Sequence, residues 1–295
     1  MESPNGDRVE KNDEPVNLNL VVKLPSGLKY RANLQSPISI AIDLDFGGQQ
    51  PSHFGAAPAS ANPMSAGSFV GDVRRGGSCN ADEVTLNLHC NGTHTETVGH
   101  IVNEAVSIGQ LAADLIVVSM LITVEPTTGA QISESYRPEI GDADQVIDSK
   151  QLLQAVSKVG DADLIRNGAL MVRTLPNDAG KRTRSYSSKN PSPFFTVEAI
   201  EAINSLGVEH LLVDFPSIDR ANDEGLLTNH HVFWKVPERT SALTQTTLQN
   251  KTITEMIYVD DEISDGIYGL SIQVPPFQTD SAPSRPIIMQ LKPTS

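Results

Sequence analysis

Cysteine is nearly absent: 295 residues carry two, Cys79 and Cys90. A single bridge could not staple a chain of this length, so the fold must rest on a packed core, and both residues read as free thiols. Aromatic side chains are few, at 5% of the chain. No apolar run reaches the roughly 20 residues that a membrane-spanning helix needs. The longest, Leu111 to Val124, is broken by Asp114, Ser119 and Thr123. Basic side chains are outnumbered, 22 Lys and Arg against 36 Asp and Glu, for a formal charge of −14. Gripping a phosphate backbone needs clustered cations, so nucleic acid is not the expected partner. Met1 to Pro15 is charged and polar and lacks the apolar core of a secretory signal, so the expected location is cytoplasmic.

What is present suffices for a large core, since 39% of the side chains are hydrophobic. Residues 1–15 are expected to be a flexible N-terminus and residues 16–295 one domain. Val16 to Tyr30 and Ile38 to Leu44 have strand character, and Phe46 to Asn80, rich in Gly, Pro, Ala and Ser, reads as loops. Val84 to His89 alternates, which predicts a strand with Thr85, Asn87 and His89 on its polar face. Ile101 to Ala113 reads as partly helical. Leu115 to Ile122 suits a strand buried on both faces.

Ser149 to Val159 reads as a helix and Ala169 to Val172 as a strand. Thr196 is placed to cap a helix that runs to Leu206, with Ile200 and Ile203 on its apolar face, Glu198 in its first turn and Gly207 as its stop. A strand over Val208 to Val213 follows, which makes the order of elements α/β.

Histidine placement carries the most information. Of the seven, three fall within twelve residues (His89, His94, His100) and two are adjacent (His230, His231). Imidazole is a common metal ligand and titrates near neutral pH, and a nearby carboxylate completes a metal site. His94 and Glu96 stand two apart, so on an extended backbone both side chains share a face. Gly92 frees the chain to turn between them and His89. The alternative is a set of histidines satisfied by ordinary hydrogen bonds, and spacing alone does not choose. His53 and His210 stand alone, which favours a surface or hydrogen-bonded core role. Asp214 and Asp219 read as architecture, and Lys181 to Arg184 as a solvated loop.

The run His89-Cys-Asn-Gly-Thr-His94-Thr-Glu96-Thr-Val-Gly-His100 resembles the His-x-Gly-Thr-His-x-Asp-x-Pro-x-His signature of cyclase-family proteins, which include kynurenine formamidases and isatin hydrolases. It departs by one extra residue between His89 and His94, by Glu96 in place of Asp, and by Val98 in place of Pro. Leu211 to Asp219 resembles the family's Gly-Ile-Asp-Thr-Pro-Ser-x-Asp element, Asn229 to Trp234 its His-bearing helix, and Ile253-Thr-Glu255 the segment with a ligand Glu. Ala282 to Ile288 resembles its final Pro-x-Arg element.

The resemblance implies a single-domain, cyclase-like (swivelling β/β/α) α/β fold with a mixed sheet and flanking helices. It implies one or two divalent cations, zinc or manganese, on His89, His94, Glu96, His230 and Glu255, with His100 as proton shuttle. Lys235 to Asn250 then reads as an insertion, with Asp260, Asp261 and Glu262 as substitute acids for Glu255. The implied activity is hydrolysis of an amide or formamide by metal-activated water. Isatin-like or lactone ring chemistry, or a silent metal-binding protein, are the alternatives. The implied partners are a small amide substrate and further copies of the chain in a homodimer or homotetramer, with no membrane.

Overall fold

The computed structural model describes residues 18–24, 27–110, 116–187 and 189–294. The expected flexible segment 1–15 lies outside them. Nine strands form the central sheet, in the order Ser281–Pro283, His94–Glu96, Thr252–Glu255, His210–Val213, Ala169–Thr174, Val117–Val124, Gly266–Ser271, Ile287–Gln290, Ile38–Ser39. The four strands from Thr252–Glu255 to Val117–Val124 run parallel, and the flanking pairs are antiparallel. The mixed α/β sheet with flanking helices is the expected one.

Burial on both faces explains the continuous apolar run of Val117–Val124. Met120 and Ile122 join a core with Leu170, Val172, Leu211 and Val213, into which Leu152, Val156, Ile200, Ile203 and Trp234 of the helices pack. Leu121 points the other way, to a core with Met171, Leu212, Leu270 and Ile288. Both sequence-predicted helices form where local signals place them. Asp148 and Gln151 make a reciprocal capping box at the start of Ser149–Val159, and Thr196 accepts from the Ala199 N–H at the start of Val197–Ser205. Among the described residues no helix is long and apolar enough to cross a membrane.

Several expectations are corrected. The strand read over Val84 to His89 is Asp82–Thr85, and its side chains are exposed throughout. Asn87 ends it by accepting from the His89 N–H (2.9 Å), and the Asn91 side chain accepts from the Asn87 N–H (2.7 Å). These local bonds compete with a ladder, so His89 sits on a turn. The Ile101 to Ala113 stretch forms only a short 3-10 turn at Ile108–Gln110 within the described residues. Lys181 is not solvated. It is 4% exposed, and its ammonium donates to Asp214 (2.7 Å) and to the Thr174 carbonyl (2.6 Å).

Candidate metal centre

The sheet register brings the acids and imidazoles together. His94–Glu96 lies between Thr252–Glu255 and Ser281–Pro283, with His94 opposite Glu255 and Glu96 opposite Ser281. Alternation puts His94 and Glu96 on one face, while Thr95 bonds Thr254 (2.8 Å) on the other. Gly92 has φ +96°, and its carbonyl accepts from His94 Nδ1 (3.0 Å). His100 ends a 3-10 turn, Val98–His100, capped by Thr97.

His230 stands in the first turn of the Thr228–Trp234 helix, in the position expected to face the site. Its neighbour His231 instead bonds the Val236 carbonyl (3.2 Å). Asp219 fixes that helix start by accepting from the Asn229 and His230 N–H groups (2.7 and 3.2 Å), and its carboxylate also accepts from His230 Nδ1. Asp219 is therefore architecture that works on the site. Asp214, tied to Lys181 and Thr174, is architecture away from it.

The outer partners decide the tautomers. With His94 Nδ1 against a carbonyl and His230 Nδ1 against a carboxylate, each ring, when neutral, turns an Nε2 lone pair inward. Those lone pairs meet other acceptors. His230 Nε2 lies 2.9 Å from Glu96 Oε1, and His94 Nε2 lies 3.4 Å from Glu255 Oε2. His94 Nε2 is buried without a hydrogen-bond partner, and Glu96 Oε2 meets only imidazoles, His89 Nδ1 at 3.0 Å and His100 Nδ1 at 3.9 Å. Acceptors facing acceptors in a buried place need a shared proton or a metal cation between them, and neutral imidazole with carboxylate suits zinc or manganese. The residues fit a divalent ion. Donor atoms of His89, His94 and Glu96, and again of Glu96, His100 and His230, fall within 4.8 Å of one another. Glu255 closes the inner end, 4.0 Å from His230 Nε2 and accepting from the Ile218 N–H at 3.0 Å.

Without a metal, protons share the space. Burial pushes Glu96 upward, but the charges of His100 and His230 outweigh it and hold the carboxyl well below its ordinary range. Burial likewise pushes His230 down, and Glu96 and Asp219 reverse it. His89 differs from His94 in having both ring nitrogens engaged. Nδ1 lies 3.0 Å from Glu96 Oε2, and Nε2 lies 2.7 Å from Asp280 Oδ2 and 2.9 Å from Ser281 Oγ. Burial would lower its pKa, yet Asp280 and Glu96 raise it to about 10.

Asp280 was not picked out from the sequence. Asp280 Oδ2 reaches His89 and also His100, whose Nδ1 lies 3.4 Å away. The two imidazoles hold its carboxyl well below the usual range. The signal that could have found it is its place just before Ser281–Pro283, the strand paired to the His-Thr-Glu strand. His53, read as standing alone, is 2% exposed, and burial lowers its pKa to about 4. His210 remains apart, bonded to Thr252 (2.8 Å). The substitute acids Asp260, Asp261 and Glu262 lie past the strand end that carries Glu255 and in none of the donor groups.

Residues 33–220 match the family model named Cyclase and described as "Putative cyclase". The chain belongs to the cyclase family. The match spans the His-Thr-Glu segment and Asp219, while His230, Glu255 and Asp280 lie beyond it. No curated protein matches the chain. Among solved structures it resembles isatin hydrolase A from Labrenzia aggregata bound to benzyl benzoate (15% identity, TM-score 0.59, 87% of this chain and 94% of that one). It also resembles a potential metal-dependent hydrolase with cyclase activity (12%, 0.58, 88% and 99%). A third is an isatin hydrolase bound to the product analogue thioisatinate (13%, 0.56, 88% and 93%). At such identities the likeness is one of fold.

Proposed function

We propose that the protein is a metal-dependent hydrolase that cleaves an amide or formamide C–N bond of a small molecule. The observation that carries this reading is the convergence of His94 Nε2, buried without a hydrogen-bond partner, with His230 Nε2, Glu96 and Glu255, the His230 ring being locked from behind by Asp219. His94, Glu96, His230 and Glu255 are the proposed ligands. His89 joins through Nδ1 once it yields the proton it holds against Glu96. A divalent cation in this place polarises a carbonyl and makes water acidic enough to ionise near neutral pH.

The chain's own groups supply the proton traffic. Asp280 faces His100 Nδ1, so that nitrogen carries the proton and Nε2 is left as the base. In the proposed step the water oxygen bonds to the carbonyl carbon while His100 Nε2 takes its proton. The same proton passes to the nitrogen as the C–N bond breaks, leaving an acid and an amine. His94, Glu96 and Glu255 are nearly inaccessible to solvent, so the acids stay aimed inward and unhydrated.

Cyclic amides are the variant to test alongside linear ones, since two of the similar structures are described as isatin hydrolases. A metal-binding protein without turnover is the second reading, since His89, His100 and Asp280 also form a group that could hold an ion, and the rate assay separates the two. The deciding experiment is elemental analysis of the purified protein together with rate assays on N-formylkynurenine and isatin after loading with zinc or manganese. Near-stoichiometric metal with turnover supports the reading. Absence of metal under every loading condition overturns it.

A further inference from the structure

Residues 235–250, which read as an insertion against the family pattern, do not stand apart from the site. They are tied to the segment that follows His100. The Ser241 carbonyl accepts from the Asn103 N–H (2.8 Å), and the Glu104 carboxylate accepts from the Leu243 N–H (3.2 and 3.3 Å). Between this stretch, His100 and the loop that leads into the Thr228–Trp234 helix lies a cavity of about 420 Å³, within the size range of small-molecule sites. Arg239, Thr240 and Ser241 thus build one wall of a space whose lining includes the proposed base, His100.

The charge of that lining runs against the charge of the chain. Acids outnumber bases by 36 to 22 overall, yet among the described residues no carboxylate lines the cavity, and Arg239 is its one permanently charged side chain. The acids nearby in sequence are engaged elsewhere. Glu238 pairs with Arg137 (2.9 Å), Asp223 accepts from the Gly225 and Leu227 N–H groups (2.8 and 2.7 Å), and Glu104 is taken by Leu243. Glu224 is exposed and lies outside the lining. The Arg239 guanidinium is left facing the cavity without a counter-charge.

The backbone holds Arg239 there at a cost. The residue sits in a turn closed by the Thr240 N–H and hydroxyl, which both donate to the Pro237 carbonyl (3.2 and 2.8 Å), and its φ is 57°. A turn that served only to reverse the chain would favour glycine in this left-handed position, whereas a long side chain is strained in it. Strain of this kind clusters where a side chain is held for a ligand. Leu227, also in the lining, shares the conformation at φ 44°.

We propose that Arg239 is a specificity residue whose guanidinium pairs with a carboxylate on the substrate while the scissile amide lies at His100, so that the protein takes acidic amides in preference to neutral ones. A guanidinium presents a planar fork of N–H donors that matches the two oxygens of a carboxylate. A chain of charge −14 repels anions at long range, and a local cation with no competing acid overcomes that repulsion for one kind of substrate. The inference deepens the hydrolase reading and rests on it for the place of the scissile bond.

Zinc-loaded wild-type, Arg239→Gly and Arg239→Lys proteins are compared for zinc content, melting temperature and ligand affinity by calorimetry. The probes are benzohydroxamate, which chelates a divalent ion and carries no carboxylate, and its ortho, meta and para carboxy derivatives. The wild type is expected to bind at least one carboxy derivative about tenfold more tightly than benzohydroxamate, the effect of one charge-assisted hydrogen-bonded pair. That preference should vanish in Arg239→Gly, survive in part in Arg239→Lys, and shrink as salt is raised. Zinc content should stay level, and the melting temperature should hold in Arg239→Gly because glycine accepts the left-handed backbone. Absence of any preference in the wild type, or a preference that persists in Arg239→Gly, overturns the inference. Loss of the preference only alongside a fall in melting temperature also overturns it, since Arg239 would then serve the turn alone. If the preference holds as expected but no amide is hydrolysed, the hydrolase reading fails while the anion contact stands. If none of the hydroxamates binds the wild type, both fail.

Discussion

Two buried polar clusters stand in this fold, and they differ in one respect. Around Lys181 and Asp214 the polar groups are mutually satisfied. The ammonium donates to Asp214 and to Thr174, and Asp214 accepts from the Thr174 N–H and hydroxyl (2.8 Å each). Around His94, Glu96 and His53 the groups are equally buried, yet His94 Nε2 and both ring nitrogens of His53 lack partners. A satisfied buried cluster pins one region of chain to another and asks for nothing more. An unsatisfied one costs stability in the protein alone, so its retention points to a ligand that completes it. The difference separates architecture from site more sharply than residue type does, since both clusters contain buried charges.

The largest expected effect comes from breaking the unsatisfied cluster. Glu96→Ala removes a carboxylate shared by the two inner donor groups, so metal content should fall with activity. Lewis-acid stabilisation is worth several kcal/mol, so the rate on the proposed substrate should drop by about 10³-fold or more. Because Glu96 pairs with His230 and His89 when no metal is bound, the metal-free variant should also unfold more easily than the metal-free parent. Unchanged metal stoichiometry would remove Glu96 from the ligand set.

The satisfied cluster should respond in the opposite way. Lys181→Met leaves Asp214 buried without its cation, a change that costs about 3–5 kcal/mol in comparable settings. Thermal or denaturant unfolding should register that loss while metal content per folded molecule stays level. Lys181→Met/Asp214→Asn removes the stranded charge and should recover part of the stability. If Lys181→Met loses metal without losing stability, the two clusters are not separate in the way described.

A smaller effect tests the link between Asp280 and His100. Asp280→Asn keeps the shape but not the charge facing His100 Nδ1. Partners of this kind typically matter by about 10- to 100-fold in activity or metal affinity. Here kcat should fall by that factor with zinc content preserved. A fall in zinc with kcat per bound metal unchanged would make Asp280 a partner of His89 alone.

The same contrast shows what could be read from the sequence. The helices Ser149–Val159 and Val197–Ser205 were legible almost to the residue, because Thr196 and the apolar spacing are local signals. The convergence of His94, Glu96, His230 and Glu255 was legible from ordered motifs. The placement of His89 was not. Alternation predicted a strand through it, whereas the side chains of Asn87 and Asn91 fold that stretch into a turn. Asp280 was missed, and the burial of His53 was not foreseen, for a different reason, since neither carries a pattern of its own. Asp280 reaches the site because an antiparallel register sets Ser281 opposite Glu96, and His53 is buried because a left-handed Phe54 turns it inward. Partners fixed by long-range pairing leave no periodicity to find.

Lys251 offers the mildest test, because it is a buried cation of intermediate standing. Its ammonium donates to Asn204 (2.6 Å) and lies 4.7 Å from the centre of the Phe233 ring, with no carboxylate in contact. Burial, reinforced by the charge of Lys235, lowers its pKa to about 8. The unfolded chain holds this proton up to the ordinary lysine value near ~10.4. Between those limits the unfolded state binds more protons, so the stability contribution rises with pH through that window and is lost as pH falls through about 8. At pH 7 the full penalty applies, offset by the Asn204 bond and the ring contact. Lys251→Met should therefore raise stability at pH 7 by about 1 kcal/mol, an order-of-magnitude value after that offset. The gain should shrink as pH approaches 10. Melting curves of the two proteins at pH 7, 8.5 and 10 measure this directly. A gain that does not diminish with pH would mean that lost packing and hydrogen bonds, and not the buried charge, set the contribution of Lys251.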